Sequence, residues 1–140
     1  RVLDCRCVSL PEAANQMVWF AGDNGLQLIL SQDLPDTLAA ALPRVVAEFL
    51  ALNGIAAGDI DHWLVHPGGP QILDAVEQVL GLSDHTLDIS RSVLTRFGNM
   101  SSPTIFFIMK DFIEAAATGL AVGMAFGPGL TIELVLLEFQ

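Results

Sequence analysis

The chain has 140 residues, 52% apolar and 16% charged, which suits one domain with a sizeable core: at this length about two-thirds of the unfolded surface is buried. That composition excludes a disordered chain, and the length argues against a second domain. Sixteen acidic against six basic side chains leave a net charge of -10, a field that repels phosphate backbones, so neither nucleic acid nor an anionic membrane is an expected partner and a phosphorylated cofactor is disfavoured. The two cysteines, Cys5 and Cys7, share one face of a strand and sit too close for an ordinary disulfide loop, so a reducing, cytoplasmic setting is expected. No basic start followed by an apolar run opens the sequence, and a secretory signal is not expected.

Short strands are expected over Val2 to Leu10, Gln16 to Gly22 and Gly25 to Ser31, the first two separated by Pro11-Glu12-Ala13-Ala14-Asn15. From Asp36 to Leu52 the period changes. Leu38, Leu42, Val45, Val46, Phe49 and Leu52 recur at three- and four-residue steps, which predicts an amphipathic helix ended by Asn53-Gly54. A brief strand follows at Asp61 to Val65, then a helix over Pro70 to Leu80 with Ile72, Leu73, Val76 and Leu80 inward, and a shorter helix at Arg91 to Phe97.

Ser102-Pro103 is a helix start, with serine as N-cap and proline in the first turn. The helix it opens carries Ile105, Phe106, Ile108, Met109, Phe112 and Ile113 and is apolar on most faces, so burial on both sides is expected. Gly119 to Leu137 holds a single charge, Glu133, over roughly the length a bilayer requires. Gly127-Pro128-Gly129 interrupts it, however, and the stretch is predicted to form two buried strands, Leu120 to Phe126 and Thr131 to Phe139, rather than a membrane span. Strands alternating with helices imply an α/β layered domain.

Three places depart from the regular pattern with residues that core packing does not require. In Val65-His66-Pro67-Gly68-Gly69-Pro70 a strand ends on a histidine, and two glycines allow close approach to the backbone before a helix begins. In Phe97-Gly98-Asn99-Met100-Ser101-Ser102-Pro103 an asparagine precedes a helix N-terminus, where free N–H groups and the dipole favour negative charge. In Ala125-Phe126-Gly127-Pro128-Gly129-Leu130 glycines permit a tight, fixed loop between strands. Taken singly, each has a plain reading: a histidine that braces a strand end, a turn asparagine, a simple turn. Cys5 and Cys7 read as small strand residues, His62 and His85 as surface residues, and no ligand spacing for zinc is present.

Together and in this order, His66-Pro67-Gly68-Gly69-Pro70, Gly98-Asn99-Met100-Ser101-Ser102 and Phe126-Gly127-Pro128-Gly129-Leu130 resemble the C-terminal half of chalcone and stilbene synthases, the type III polyketide synthases of the thiolase superfamily. Gly25 to Pro35 is similar to the strand and turn before that family's first helix in this half. The resemblance implies a thiolase-like α/β/α layered half, with a mixed sheet and one buried helix, spanning residues 1–140. It also implies a decarboxylative condensation of an acyl-CoA starter with malonyl-CoA.

The family's active site joins a cysteine, a histidine and an asparagine, and the last two match His66 and Asn99. The cysteine belongs to an N-terminal half and has no counterpart here, because Cys5 and Cys7 fall on the first strand. The chain is therefore expected to be half of an enzyme, inactive alone, whose N-terminal partner half supplies the nucleophile and the basic residues for coenzyme A. A homodimer is expected for the complete protein, with coenzyme A thioesters as substrates and no resident cofactor or metal.

Gly68, Gly69 and Ser101 are expected along the pantetheine path, and Leu28, Phe126, Gly127, Pro128 and Gly129 around the cavity. Leu28 stands where the family often has phenylalanine, and Ala125 replaces a family glycine, so an aliphatic starter is as consistent as an aromatic one. A ketoacyl-carrier-protein synthase III-like condensing enzyme and a non-catalytic interaction domain are the alternatives.

Overall fold

The computed structural model describes residues 1–23 and 25–140. Its elements in chain order are β1 (Val2–Ser9), β2 (Met17–Gly22), β3 (Gly25–Leu30), α1 (Leu34–Leu52), β4 (His62–Val65), α2 (Pro70–Leu80), α3 (Asp88–Phe97), α4 (Thr104–Glu114), β5 (Gly119–Gly127) and β6 (Thr131–Phe139). One sheet runs in the order β1-β6-β5-β4, and β2 pairs with β3 in a separate two-stranded sheet. The larger sheet is mixed, since β4 runs parallel to β5 while β5 and β1 are antiparallel to β6. Parallel neighbours need a long crossover, and α2, α3 and α4 supply it between β4 and β5.

Period-two alternation along the strands sorts the core into two layers. Trp63, Val65, Val122, Met124, Ile132, Leu134 and Leu136 pack on one face with α1 and α2. Leu64, Ala121 and Leu137 point the other way, onto Val93 of α3 and Ile108 and Phe112 of α4. Helices thus cover both faces, and the expected α/β/α arrangement with a mixed sheet is present. Helix α1 passes through Pro43 without a break. Leu42, Val45 and Phe49 around it are at most 1% exposed, and that burial outweighs the backbone bond a proline removes.

Several boundaries and one burial pattern differ from the sequence reading. Helix α1 begins at Leu34, ahead of Asp36, and α3 begins at Asp88, ahead of Arg91. Ser102 does not cap α4. The N-cap position falls to Pro103 with no side-chain bond, and Ser102 is exposed because the chain turns at Ser101, whose φ is +62°.

Nor is α4 buried on both sides. Thr104, Ile108 and Phe112 face inward, while Phe106 is 66% and Ile113 62% exposed. This chain has one sheet, which can cover only one side of the helix.

Among the described residues no helix is long and apolar enough to cross a membrane. The apolar stretch from Gly119 forms the central strand β5 and its antiparallel neighbour β6.

Candidate active site

Strand β4 ends at Val65, and the His66 N–H extends its parallel ladder by donating to the Met124 carbonyl at 2.8 Å. His66 therefore stands just past the carboxyl end of a parallel strand, where ligands gather in α/β sheets. Its imidazole is half-buried, and burial pushes its pKa below the ordinary 6.5. At neutral pH it is an uncharged ring with one N–H to donate.

The glycines that follow do not adopt unusual dihedrals, since neither Gly68 nor Gly69 has positive φ. A Cβ on Gly68 would lie 3.6 Å from Ile72, and on Gly69 it would meet nothing within 4 Å. Glycine here leaves open space beside the backbone.

The second loop leaves α3 through Gly98, whose φ of +71° suits glycine. Asn99 follows as an Asx turn, its Oδ1 accepting the Ser101 N–H at 2.8 Å. Its Nδ2 donates to the Gly68 carbonyl at 3.2 Å. The asparagine thus ties its own loop to the His66 loop across 31 residues of chain. Further on, the hydroxyl oxygen of Thr104 accepts the Met100 N–H at 2.9 Å.

Both loops open into a cavity of about 950 Å³. Of the residues singled out in the sequence, its wall includes His66, Gly68, Gly69, Asn99, Ser101, Leu28, Phe126 and Pro128. Gly127 and Gly129 are not on the wall. They build the turn between β5 and β6, where Gly129 has φ +123° and a Cβ on Gly127 would crowd the Thr131 hydroxyl at 2.9 Å.

Met17, Trp19, Leu30, Gln32, Gln71 and Met100 also line the cavity, and the sequence reading did not select them. A signal for three of them existed: Met17 pairs with Leu30 and Trp19 with Leu28, so period-two alternation places all four on one face of the hairpin. Among the described residues no acidic or basic side chain lines the cavity, which suits an uncharged, largely apolar guest.

Cys5 and Cys7 are exposed on β1. The Cys7 thiol is pushed up by its hydrogen bond to Glu133, its partner across the β1–β6 ladder, with smaller contributions from burial and from the carboxylate charge. It is the opposite of an activated thiolate. His85 is exposed beside Asp88 at 2.9 Å. His62 is more enclosed than expected, its ring centroid 5.2 Å from that of Phe112 and its Nε2 2.9 Å from the Thr118 carbonyl. Among the described residues no three His, Cys, Asp or Glu side chains are grouped to hold a metal ion.

Comparison with known proteins bears on this architecture directly. Residues 5–139 match the family described as chalcone and stilbene synthases, C-terminal domain. The "Alpha-pyrone synthesis polyketide synthase-like Pks18" of Mycobacterium tuberculosis is 39% identical over 119 residues, which cover 82% of this chain and 30% of that protein. The protein of the same name in Mycobacterium bovis gives the same identity and coverage. Among solved structures, PKS-I from the brown alga Ectocarpus siliculosus matches with a TM-score of 0.89 over 99% of this chain and 39% of that one, at 29% identity. The chain spans 30% to 39% of the length of these relatives. A continuous match from Cys5 to Phe139 over a thiolase-like half leaves one conclusion about kinship: the chain belongs to the chalcone and stilbene synthase C-terminal domain family.

Proposed function

We propose that in the complete protein this chain is the C-terminal half of a type III polyketide synthase, an acyltransferase that condenses an acyl-CoA starter with malonyl-CoA. The starter is carried on a cysteine of an N-terminal half, which also binds the coenzyme A phosphates, and the working enzyme is a homodimer. The chemistry is a decarboxylative Claisen condensation. The bond between the malonyl carboxylate and the methylene carbon breaks, carbon dioxide leaves, and the electron pair becomes an enolate on the thioester oxygen and carbon. That carbon attacks the acyl-cysteine carbonyl, a carbon–carbon bond forms, and the cysteine thiolate departs with its pair.

Negative charge develops on the malonyl thioester oxygen, and His66 and Asn99 are assigned as its two donors. A neutral imidazole N–H and an amide N–H stabilise an oxyanion without protonating it early. His66 has a second task, holding the cysteine as a thiolate through an ion pair. Gly68, Gly69 and Ser101 admit the pantetheine arm, and Leu28, Phe126 and Pro128 bound the space in which the product chain folds.

The observation that carries this reading is that the His66 and Asn99 loops meet on one uncharged cavity wall, joined by the Asn99–Gly68 hydrogen bond. The test uses the complete protein. His66→Ala and Asn99→Ala should each slow malonyl-CoA decarboxylation by about 10²–10³, roughly 2.7–4 kcal/mol, the range seen when one oxyanion donor is removed. His66→Ala should also slow loading of the starter onto cysteine, and Asn99→Ala should leave it largely intact. A folded Asn99→Ala protein that decarboxylates at the parental rate removes Asn99 from the site.

A further inference from the structure

Thr104, the first residue of α4, has no exposed surface. It grips the preceding turn at two points. Its hydroxyl oxygen accepts the Met100 N–H at 2.9 Å, and its own N–H donates to the Ser101 carbonyl at 3.0 Å. Between those grips lies Ser101 in the left-handed region, φ +62°, a conformation that a serine holds only when its surroundings impose it.

The same turn sets the carboxamide of Asn99. With Oδ1 on the Ser101 N–H and Nδ2 on the Gly68 carbonyl, a flipped amide would set acceptor against acceptor and donor against donor. Only one orientation is satisfied, and it leaves the second Nδ2 proton free for a ligand in the cavity. If the Met100 peptide moves, Ser101 moves with it, and the carboxamide loses the partner that orients it.

We propose that Thr104 is a positioning residue, whose buried hydroxyl holds the Met100 peptide and thereby aims the Asn99 amide into the cavity. The inference rests on the assignment of Asn99 as an oxyanion donor. Thr104 itself touches no reacting atom, so its whole effect passes through Asn99.

The test is carried out on the complete protein with Thr104→Val, which keeps the shape and removes the acceptor, and Thr104→Ser, which keeps the acceptor. Thr104→Ala also removes the acceptor and serves if the valine variant does not fold. Misplacing a catalytic group by about 1 Å can cost 100-fold. Thr104→Val should therefore lower kcat for malonyl-CoA decarboxylation by up to about 100-fold, leave KM little changed, and leave starter loading at the parental rate. Thr104→Ser should recover most of the loss. In an Asn99→Ala background, Thr104→Val should cost nothing further, because the two act on one interaction.

Parental decarboxylation by Thr104→Val, with Asn99→Ala slow, overturns this inference alone. Equal losses in the valine and serine variants, or a loss shared by starter loading, assign Thr104 to folding and overturn it as well. Parental decarboxylation by Asn99→Ala removes the donor assignment and this inference with it.

Discussion

The two faces of the sheet are built on the same strands but finished differently. On the first face α1 buries Leu38, Leu42, Val45 and Phe49 to 1% exposure or less and turns Arg44 and Glu48, paired at 2.9 Å, toward water. On the second, α4 buries Ile108 and Phe112 against the sheet yet turns Phe106 and Ile113 outward, at 66% and 62% exposure. Phe106 and Ile113 are seven residues apart and so share one stripe of the helix. The first face ends as a domain surface ends, and the second ends as an interface does. The contrast suits a half that the proposed N-terminal partner would complete on the α3–α4 side.

The sharpest way to break that contrast is to truncate one phenylalanine on each helix. Phe49 has no exposed surface, so Phe49→Ala should destabilise the chain by about 3–5 kcal/mol, the usual cost of a large core cavity. Phe106→Ala should change stability by no more than about 0.5 kcal/mol, as surface substitutions do. Urea unfolding midpoints for both variants make the comparison. Equal losses would mean that α4 is covered in the isolated chain and that the two faces do not differ.

Next in size is association. An exposed stripe of this kind, continued by Phe107 at 37% and Phe97 at 47% exposure, is more than a monomer usually tolerates. The isolated chain should therefore self-associate, and a Phe106→Glu, Ile113→Glu double variant should sediment as a monomer at the same concentrations. A parental chain that stays monomeric over a wide concentration range would count against an interface on this face.

The first face was also the more legible in sequence. The steps from Leu38 to Leu52 identify α1 and its inward side, because an amphipathic helix writes its burial in its own period. Its start at Leu34 depends on local bonds that periodicity does not carry, such as the Leu34 N–H to the Ser31 carbonyl at 3.3 Å. Helix α3 was shortened in the reading because Ser90, a polar residue, occupies a fully buried position. For α4 the apolar residues were identified correctly, but which of them meet the sheet depends on how much of the protein lies around it.

The His66 and Asn99 loops were legible as local motifs of glycine, proline and asparagine. Their junction through Gly68, and the hairpin wall of Met17, Trp19 and Leu30, were not, because they join segments far apart in the chain. The cap assigned to Ser102 failed for a related reason. A serine before a proline matches the pattern of a helix start, but the left-handed turn at Ser101 hands the bond to Thr104.

The smallest expected effect concerns pH and lies at the cavity rather than in either core layer. Burial holds the folded His66 below the ordinary value of 6.5, while the unfolded chain keeps that value. Below pH 6.5 the unfolded state therefore binds a proton that the folded state resists, and stability rises with pH wherever the unfolded state holds more protons. Read downward, stability should fall as the pH drops below 6.5 and stop falling, as far as His66 is concerned, once the folded imidazole titrates too. Above that range both states are neutral at this residue and it contributes no slope. His62 and His85 also titrate, so the useful quantity is the difference between the parental chain and His66→Gln. Unfolding midpoints at pH 8, 6.5 and 5 should show the parental chain losing ground to the variant as the pH falls. A constant difference across the three would mean that the ring of His66 is solvated in the folded chain, and the case for a neutral N–H donor held ready at the cavity wall would lose its physical basis.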